Sequence, residues 1–248
     1  MKIRYYILIL LSGLLPVLIS CSDNEKTLPG EDGFLNINLS VDKEYEIATR
    51  SIGSIVDEFA IQIANAGGGI VEDFNSYQEL KENGTLRFSE GEYTITAHSP
   101  GEMEDISDYP YYGGTEAFEI QPKLFTEVKV ICSMQNAKIR LVLSEELSSN
   151  INENYEITLS VGGIEQTYDN SSFSEGVSID KYFKPSETIS LFMEGATITG
   201  DDFQVEEFLD NGVNANDFLT IHIGLKSKAV RNMDIDRKFN VTLLTTIQ

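Results

Sequence analysis

The chain has no tryptophan, only two cysteines and two histidines in 248 residues, and 18 basic side chains against 40 acidic ones. Each scarcity narrows the function. Indole is the best side chain for stacking on a sugar ring, so its absence counts against a dedicated glycan binder. His98 and His222 are the only imidazoles, and the sequence holds no zinc-ligand spacing, no Ser-His-Asp order, no nucleophile elbow and no glycine-rich phosphate loop. It therefore reads as a non-enzyme with no cofactor and no metal. A formal charge of −22 repels phosphate backbones, which argues against nucleic acid as a partner. The charge does not imply disorder, because 41% of the residues are hydrophobic and 11 Tyr and 13 Phe supply material for a core.

A long apolar run is missing as well. Tyr5 to Ile19, broken by Ser12 and Gly13 and stopped by Pro16, falls short of the ~20 residues a spanning helix needs, and no stop-transfer charges follow. With Lys2 and Arg4 before it, the segment follows the plan of a secretory signal peptide. Leu18-Ile19-Ser20-Cys21 resembles a bacterial lipobox, in which the cysteine receives a diacylglycerol and becomes the acylated N-terminus. The resemblance implies a signal peptide over 1–20, lipidation at Cys21 and the membrane as a partner through the lipid anchor. A thioether-bound Cys21 cannot pair, so Cys132 stands alone. Alternation in Val128-Lys129-Val130-Ile131-Cys132 puts Val128, Val130 and Cys132 on one face, where a lone cysteine is a small buried hydrophobe.

Residues 21–32 are polar and include Pro29 and Gly30, as a tether does. Asp23 and Glu25 resemble the acidic export signal that sends some Bacteroidota lipoproteins to the outer face of the outer membrane; a merely solvated tether is the alternative. Beyond it the sequence alternates at period two. Leu35, Ile37, Leu39 and Val41 share a face, and strands are expected at Phe59 to Ile63, Thr85 to Phe88, Tyr93 to Ala97, Ala117 to Ile120 and Glu127 to Met134. One helix, Ser76 to Glu82, carries Ser76 and Glu79 in capping-box relation. Alternation restarts at Lys138 and recurs at Tyr155 to Val161, Thr188 to Phe192, Phe218 to Leu225 and Phe239 to Ile247. The expected fold is all-β, two tandem antiparallel β-sandwiches, transthyretin-like or Ig-like, over 33–136 and 137–248.

Three stretches carry a family resemblance. Gly91-Glu92-Tyr93-Thr94-Ile95-Thr96-Ala97, Tyr109 to Phe118 and Thr126 to Ile139 resemble the shared core of uncharacterised Bacteroidota lipoproteins classed as a domain of unknown function. Such proteins are similar in layout to fimbrillin-like and fimbrial-anchor lipoproteins, which pair two transthyretin-like sandwiches. The resemblance implies a lipid-anchored, surface-exposed outer-membrane protein that acts as a fimbrial-type subunit, anchor or adhesin, with other surface or fimbrial subunits as partners by strand exchange. It also marks Arg50 and Ser51, in Ile47-Ala48-Thr49-Arg50-Ser51, as a processing site whose cleavage would remove the first strand; an exposed loop arginine is the plain alternative.

Other candidates are weaker. Tyr109, Tyr111 and Tyr112 either contact a ligand, stacking on sugar rings, or anchor their loop to the sandwich. The sugar-stacking option fits a glycan-binding accessory lipoprotein of a nutrient-uptake system. Asp210 to Asp217 is rich in oxygen ligands but lacks the closing glutamate and spacing of a calcium loop. Asp234 and Asp236 share a side of an extended segment with nothing to separate their acidities.

Overall fold

Alternation makes β1 (Gly33–Val41) a half-buried strand with Leu35, Ile37 and Val41 inward and Asn36 and Asn38 in solvent. The first half continues with β2 (Ala60–Asn65), β3 (Ile70–Phe74), β4 (Leu86–Phe88), β5 (Gly91–His98), β6 (Ile106–Ser107), β7 (Tyr112–Ile120) and β8 (Phe125–Met134). The second half comprises β9 (Ala137–Leu143), β10 (Glu156–Val161), β11 (Ile164–Asp169), β12 (Phe173–Ser174), β13 (Val177–Ser178), β14 (Lys181–Phe183), β15 (Ile189–Ala196), β16 (Asp202–Leu209), β17 (Phe218–Leu225) and β18 (Val241–Ile247). This computed structural model describes residues 31–42, 55–209 and 212–225 and the backbone of 241–247, and residues 31–248 belong to one compact unit. Among the described residues no helix is long and apolar enough to cross a membrane.

The fold is all-β and sandwich-like. In the first half the strand order is β3-β2-β5-β7-β8-β1-β4. Inward residues of β2 and β5, among them Ile61, Ile63 and Ile95, meet those of β1 and β8, Leu35, Val128 and Val130, in a single core. Each such fully buried side chain contributes ~1.5–3 kcal/mol. The second half sets a four-stranded sheet, β11-β10-β15-β16, against a sheet built around β9 and β17. Its core draws Ile157, Leu159, Leu191 and Met193 from the first and Ile139, Leu141, Ile221 and Ile223 from the second. The cores part between Met134 and Ala137, and only Gln135 and Asn136 separate β8 from β9.

Two pairings within these mostly antiparallel sheets are parallel. β1 runs parallel to β8 from Phe34↔Phe125 to Val41↔Cys132, and β17 runs parallel to β9 from Phe218↔Lys138 to Ile223↔Leu143. No hairpin can join a parallel pair, so in each half the connection is made by the strands that lie between. Outside the sheets, Ser76 caps the Tyr77–Asn83 helix by accepting from Glu79 N at 3.1 Å. Glu79 reaches back one residue further than a capping box would, to Asn75 N at 2.9 Å.

Candidate functional site

The tyrosine stretch is built where the two halves meet. Ser99 N donates to Tyr112 O at 2.9 Å and Tyr112 N donates to Ser99 Oγ at 2.9 Å, which closes the loop between β5 and β7. The loop leaves the first core and donates β6 to the second half: Ile106 and Ser107 pair with Phe183 and Tyr182 of β14. Ion pairs flank the added strand, Lys181 with Asp108 at 2.6 Å and Lys184 with Asp105 at 2.7 Å. In return Tyr182 packs against the first core. Asn136, 1% exposed, ties the junction. Its Oδ1 accepts from Tyr111 N at 3.2 Å, its Nδ2 donates to Tyr109 O at 3.4 Å, and its carbonyl accepts from Asn216 N at 3.1 Å.

This geometry separates the three tyrosines. Tyr109 is 78% exposed, whereas Tyr112 is 2% exposed and stacks on Phe59 with ring centroids 6.1 Å apart. Tyr111 stacks on His98, and its hydroxyl lies 3.1 Å from His98 Nδ1 and donates to Gly101 O at 3.3 Å. Burial, then the nearby Glu102 carboxylate, raises the Tyr111 phenol above its ordinary value. Neighbouring residues of an extended chain point to opposite sides, so Tyr111 and Tyr112 cannot share one platform. Tyr112 belongs to the core.

A second polar cluster fastens the parallel pair of the second half. Asp180 accepts from Arg140 Nε at 2.6 Å and a second guanidinium nitrogen at 2.9 Å, and it meets Lys138 Nζ at 2.6 Å. Both cations lie over the Phe218 ring, Lys138 at 4.4 Å and Arg140 at 5.3 Å. Burial pushes the Asp180 carboxyl up, but the bonds from Arg140 and Lys138 outweigh it and hold the group below the usual carboxylate range. The network joins β9, β17 and the turn before β14, and every charge in it has a partner.

Cys132 is fully buried, its thiol 3.8 Å from Ala97 O and pushed up to about 12 by burial. Thiolate is the reactive species, so iodoacetamide at pH 8 is expected to label Cys132 only after denaturation. Rapid labelling of the native protein, read by mass spectrometry, would contradict this placement. Asn214 and Asp217 close their turn on themselves, Asp217 Oδ2 accepting from Asn214 N at 2.7 Å. Cys21, Arg50, Ser51, Asp210, Asp234 and Asp236 lie outside the described residues.

The sheet edges matter more than any of these side chains. Among the described strands β18 pairs with β17 alone, from Leu219↔Ile247 to Leu225↔Val241. β1 is hydrogen-bonded to β8 along eight positions, but on its other side β4 covers only Gly33 to Leu35. Past that point Tyr77 takes over, its hydroxyl donating to Ile37 O at 2.9 Å and accepting from Leu39 N at 3.3 Å. No sequence signal pointed to Tyr77, since a helical tyrosine gives no hint that its hydroxyl serves a strand 40 residues earlier.

Comparison with known proteins extends over nearly the whole unit. A candidate cell adhesion protein from Bacteroides eggerthii is similar in structure, with a TM-score of 0.53 at 10% identity, covering 88% of this chain and 96% of that one. A fimbrial assembly protein from Parabacteroides distasonis gives 0.50 at 8% identity, covering 88% and 99%. The fimbrial anchor protein Mfa2 from Porphyromonas gingivalis gives 0.46 at 11% identity, covering 87% and 97%. For the first two, at such identities, the likeness is one of fold. No curated protein matches the chain in sequence. Residues 31–247 match the family described as a domain of unknown function (DUF4493), and the chain belongs to that family.

Proposed function

We propose that the protein is a non-catalytic component of the cell surface, held in the outer membrane by a lipid on Cys21. Its two modules, 33–136 and 137–248, act through protein contacts as a fimbrial-type subunit, anchor or adhesin. The observation that carries this reading is how two strands, β18 and β1, are paired. Among the described strands β18 pairs with β17 only, and β1 precedes Arg50 and is held on its second side by β4 and Tyr77. Loss of β1 would uncover backbone groups along β8 and the core behind Leu35, Ile37 and Val41, which a donated strand would refill.

The test is arginine-specific proteolysis of the full chain in detergent, followed by light scattering. Cleavage after Arg50 is expected to yield ladders of subunits, and deletion of residues 239–248 is expected to abolish them. An Arg50→Lys variant should remain uncut at that position and unassembled. A chain that resists cleavage there, or is cut and stays monomeric, removes strand exchange and leaves a capped anchor or simple adhesin. A second reading, a glycan-binding accessory lipoprotein of a nutrient-uptake system, is favoured by the open cleft beside Tyr155.

A further inference from the structure

β8 runs from Phe125 to Met134, after which the second half begins. At the ~3.3 Å rise of a strand its two ends lie roughly 30 Å apart, so Phe125 marks the end of the first module remote from the second. The chain enters the module at that same end. Gly33 and Phe34 of β1 lie beside Phe88 and Arg87 on one side, and Phe34 lies beside Phe125 on the other. Lys123 N donates to Asp32 O at 3.0 Å, Phe34 N donates to Leu124 O at 2.8 Å, and Lys123 Nζ meets Glu31 at 2.7 Å. A Cβ at Gly33 would run into Gln121 O, so the entering strand is pressed against the turn that follows β7.

That turn presents an apolar tip with cations beside it. Leu124 N donates to Gln121 O at 3.3 Å, which closes the turn and holds Lys123 at φ 63°, a conformation that favours glycine. A long cationic side chain stands there instead. Next to it Leu124 is 53% exposed and Phe125 is 66% exposed. Phe125 stacks on Phe34 with ring centroids 4.9 Å apart, and the Arg87 guanidinium lies over the Phe34 ring at 5.3 Å. Apolar residues exposed singly on a surface need no explanation, but here two rings and a leucine come together where the chain enters. Apolar bodies flanked by long cationic side chains suit a membrane interface, the first in the acyl boundary and the second among the headgroups.

We propose that Leu124, Phe125 and Phe34, with Lys123 and Arg87, form a membrane-contact face that rests on the headgroup layer of the bilayer holding the lipid anchor. This face depends on lipidation at Cys21. Only ten residues lead from Cys21 to Glu31, and whatever their conformation they reach at most ~36 Å, so an acylated Cys21 keeps this end of the module close to the bilayer. A short covalent link raises the effective concentration of the surface, and weak contact then suffices. Zwitterionic headgroups suit the face better than a second copy does, because two such ends would bring Glu31 and Asp32 of each together on chains that are already strongly acidic. Three side chains are too few to hold the protein without the lipid. Their effect is orientation: the first module stands on the membrane and the second half projects away from it.

The chain has no tryptophan, so one introduced indole reports alone. The test reconstitutes the lipidated full chain, carrying either Leu124→Trp or Phe208→Trp, into phosphatidylcholine vesicles with and without brominated acyl chains, and recovers it by flotation. Phe208 lies on β16 of the second half and is itself exposed, so it controls for the appetite of an indole for lipid. Leu124→Trp is expected to lose roughly half or more of its emission to the bromines, because an interfacial side chain sits ~5–10 Å into the headgroup and acyl boundary. Phe208→Trp is expected to lose none. Adding Phe125→Asp to Leu124→Trp should abolish the quenching and leave the protein on the vesicles, where the lipid holds it. Absence of quenching at 124, equal quenching at 124 and 208, or quenching that survives Phe125→Asp would each overturn the contact face. A blue-shifted but unquenched indole at 124 would overturn it too, by showing burial against protein, as in a second copy. The two readings fail separately: a chain that floats without quenching at 124 removes the contact face alone, whereas a chain that does not float removes the lipid anchor and the contact face with it.

Discussion

Replacing Cys21 with serine is expected to move the protein from the membrane fraction to the soluble fraction. The argument is one of methylene counts. Each buried CH₂ contributes ~0.8 kcal/mol, and a single acyl chain gives only marginal, reversible attachment, whereas two chains together hold a protein durably. A diacylglycerol on the cysteine sulfur brings two at once, and a serine hydroxyl offers no thiol for that linkage. The Tyr5 to Ile19 segment is shorter than the ~20 residues a spanning helix needs, and anionic headgroups repel an acidic surface. Fractionation together with labelling by a palmitate analogue reads the outcome. A serine variant that stays with membranes and still takes up label would show that the lipobox reading is wrong, and with it the proposed anchor.

How much of this architecture is legible in the sequence depends on how each strand is buried. β1, β8, β9 and β10 have one face in a core and one in solvent, so their apolar residues recur at period two and their inward sets are readable directly. The pattern of β16 is blurred by its place at the sheet edge, where Phe208 points outward at 71% exposure beside Glu206 and Glu207. β6 and β12 to β14, of two or three residues each, are too short to carry any period. The sequence marks a strand only over Ala117 to Ile120, because Pro110, Gly113 and Gly114 break the alternation before it, yet strand β7 begins at Tyr112. Partnerships between distant segments are the least legible. The parallel pairing of β1 with β8, the hydroxyl of Tyr77 on β1, and the meeting of Glu156 with Glu194 all depend on register across strands, and no spacing along the chain records it. Cys132 was legible as a core residue for the opposite reason, since alternation alone fixed its side.

Tyr112 and Gly114 supply the largest expected loss of stability. Tyr112 sits where β7 passes from its pairing with β5 to its pairing with β8, at Tyr112↔Met134 and Gly113↔Ser133, and its ring fills the first core against Phe59. Truncation to alanine removes a buried aromatic ring and should cost ~3–5 kcal/mol. For a unit of this size each kcal/mol lowers the melting temperature by roughly 2–4 °C, so a fall of about 10 °C is expected. Tyr112→Phe should behave differently. The hydroxyl is buried and has no hydrogen-bond partner among the described residues, so removing it deletes a desolvated polar atom and leaves stability unchanged or raised by ~1 kcal/mol. Two residues on, Gly114 lets β7 press against the backbone of β8, and a Cβ there would lie 2.5 Å from Ile131 O. Carbonyl groups in a ladder cannot step aside as a flexible side chain can, so Gly114→Val should force the strands apart and cost at least ~3 kcal/mol. Thermal melts of the three variants separate core packing from ligand contact at this stretch. If Tyr112→Ala melts like the parent while Tyr112→Phe is strongly destabilised, the hydroxyl rather than the ring is what matters, and the tyrosine belongs to a polar site instead of the core.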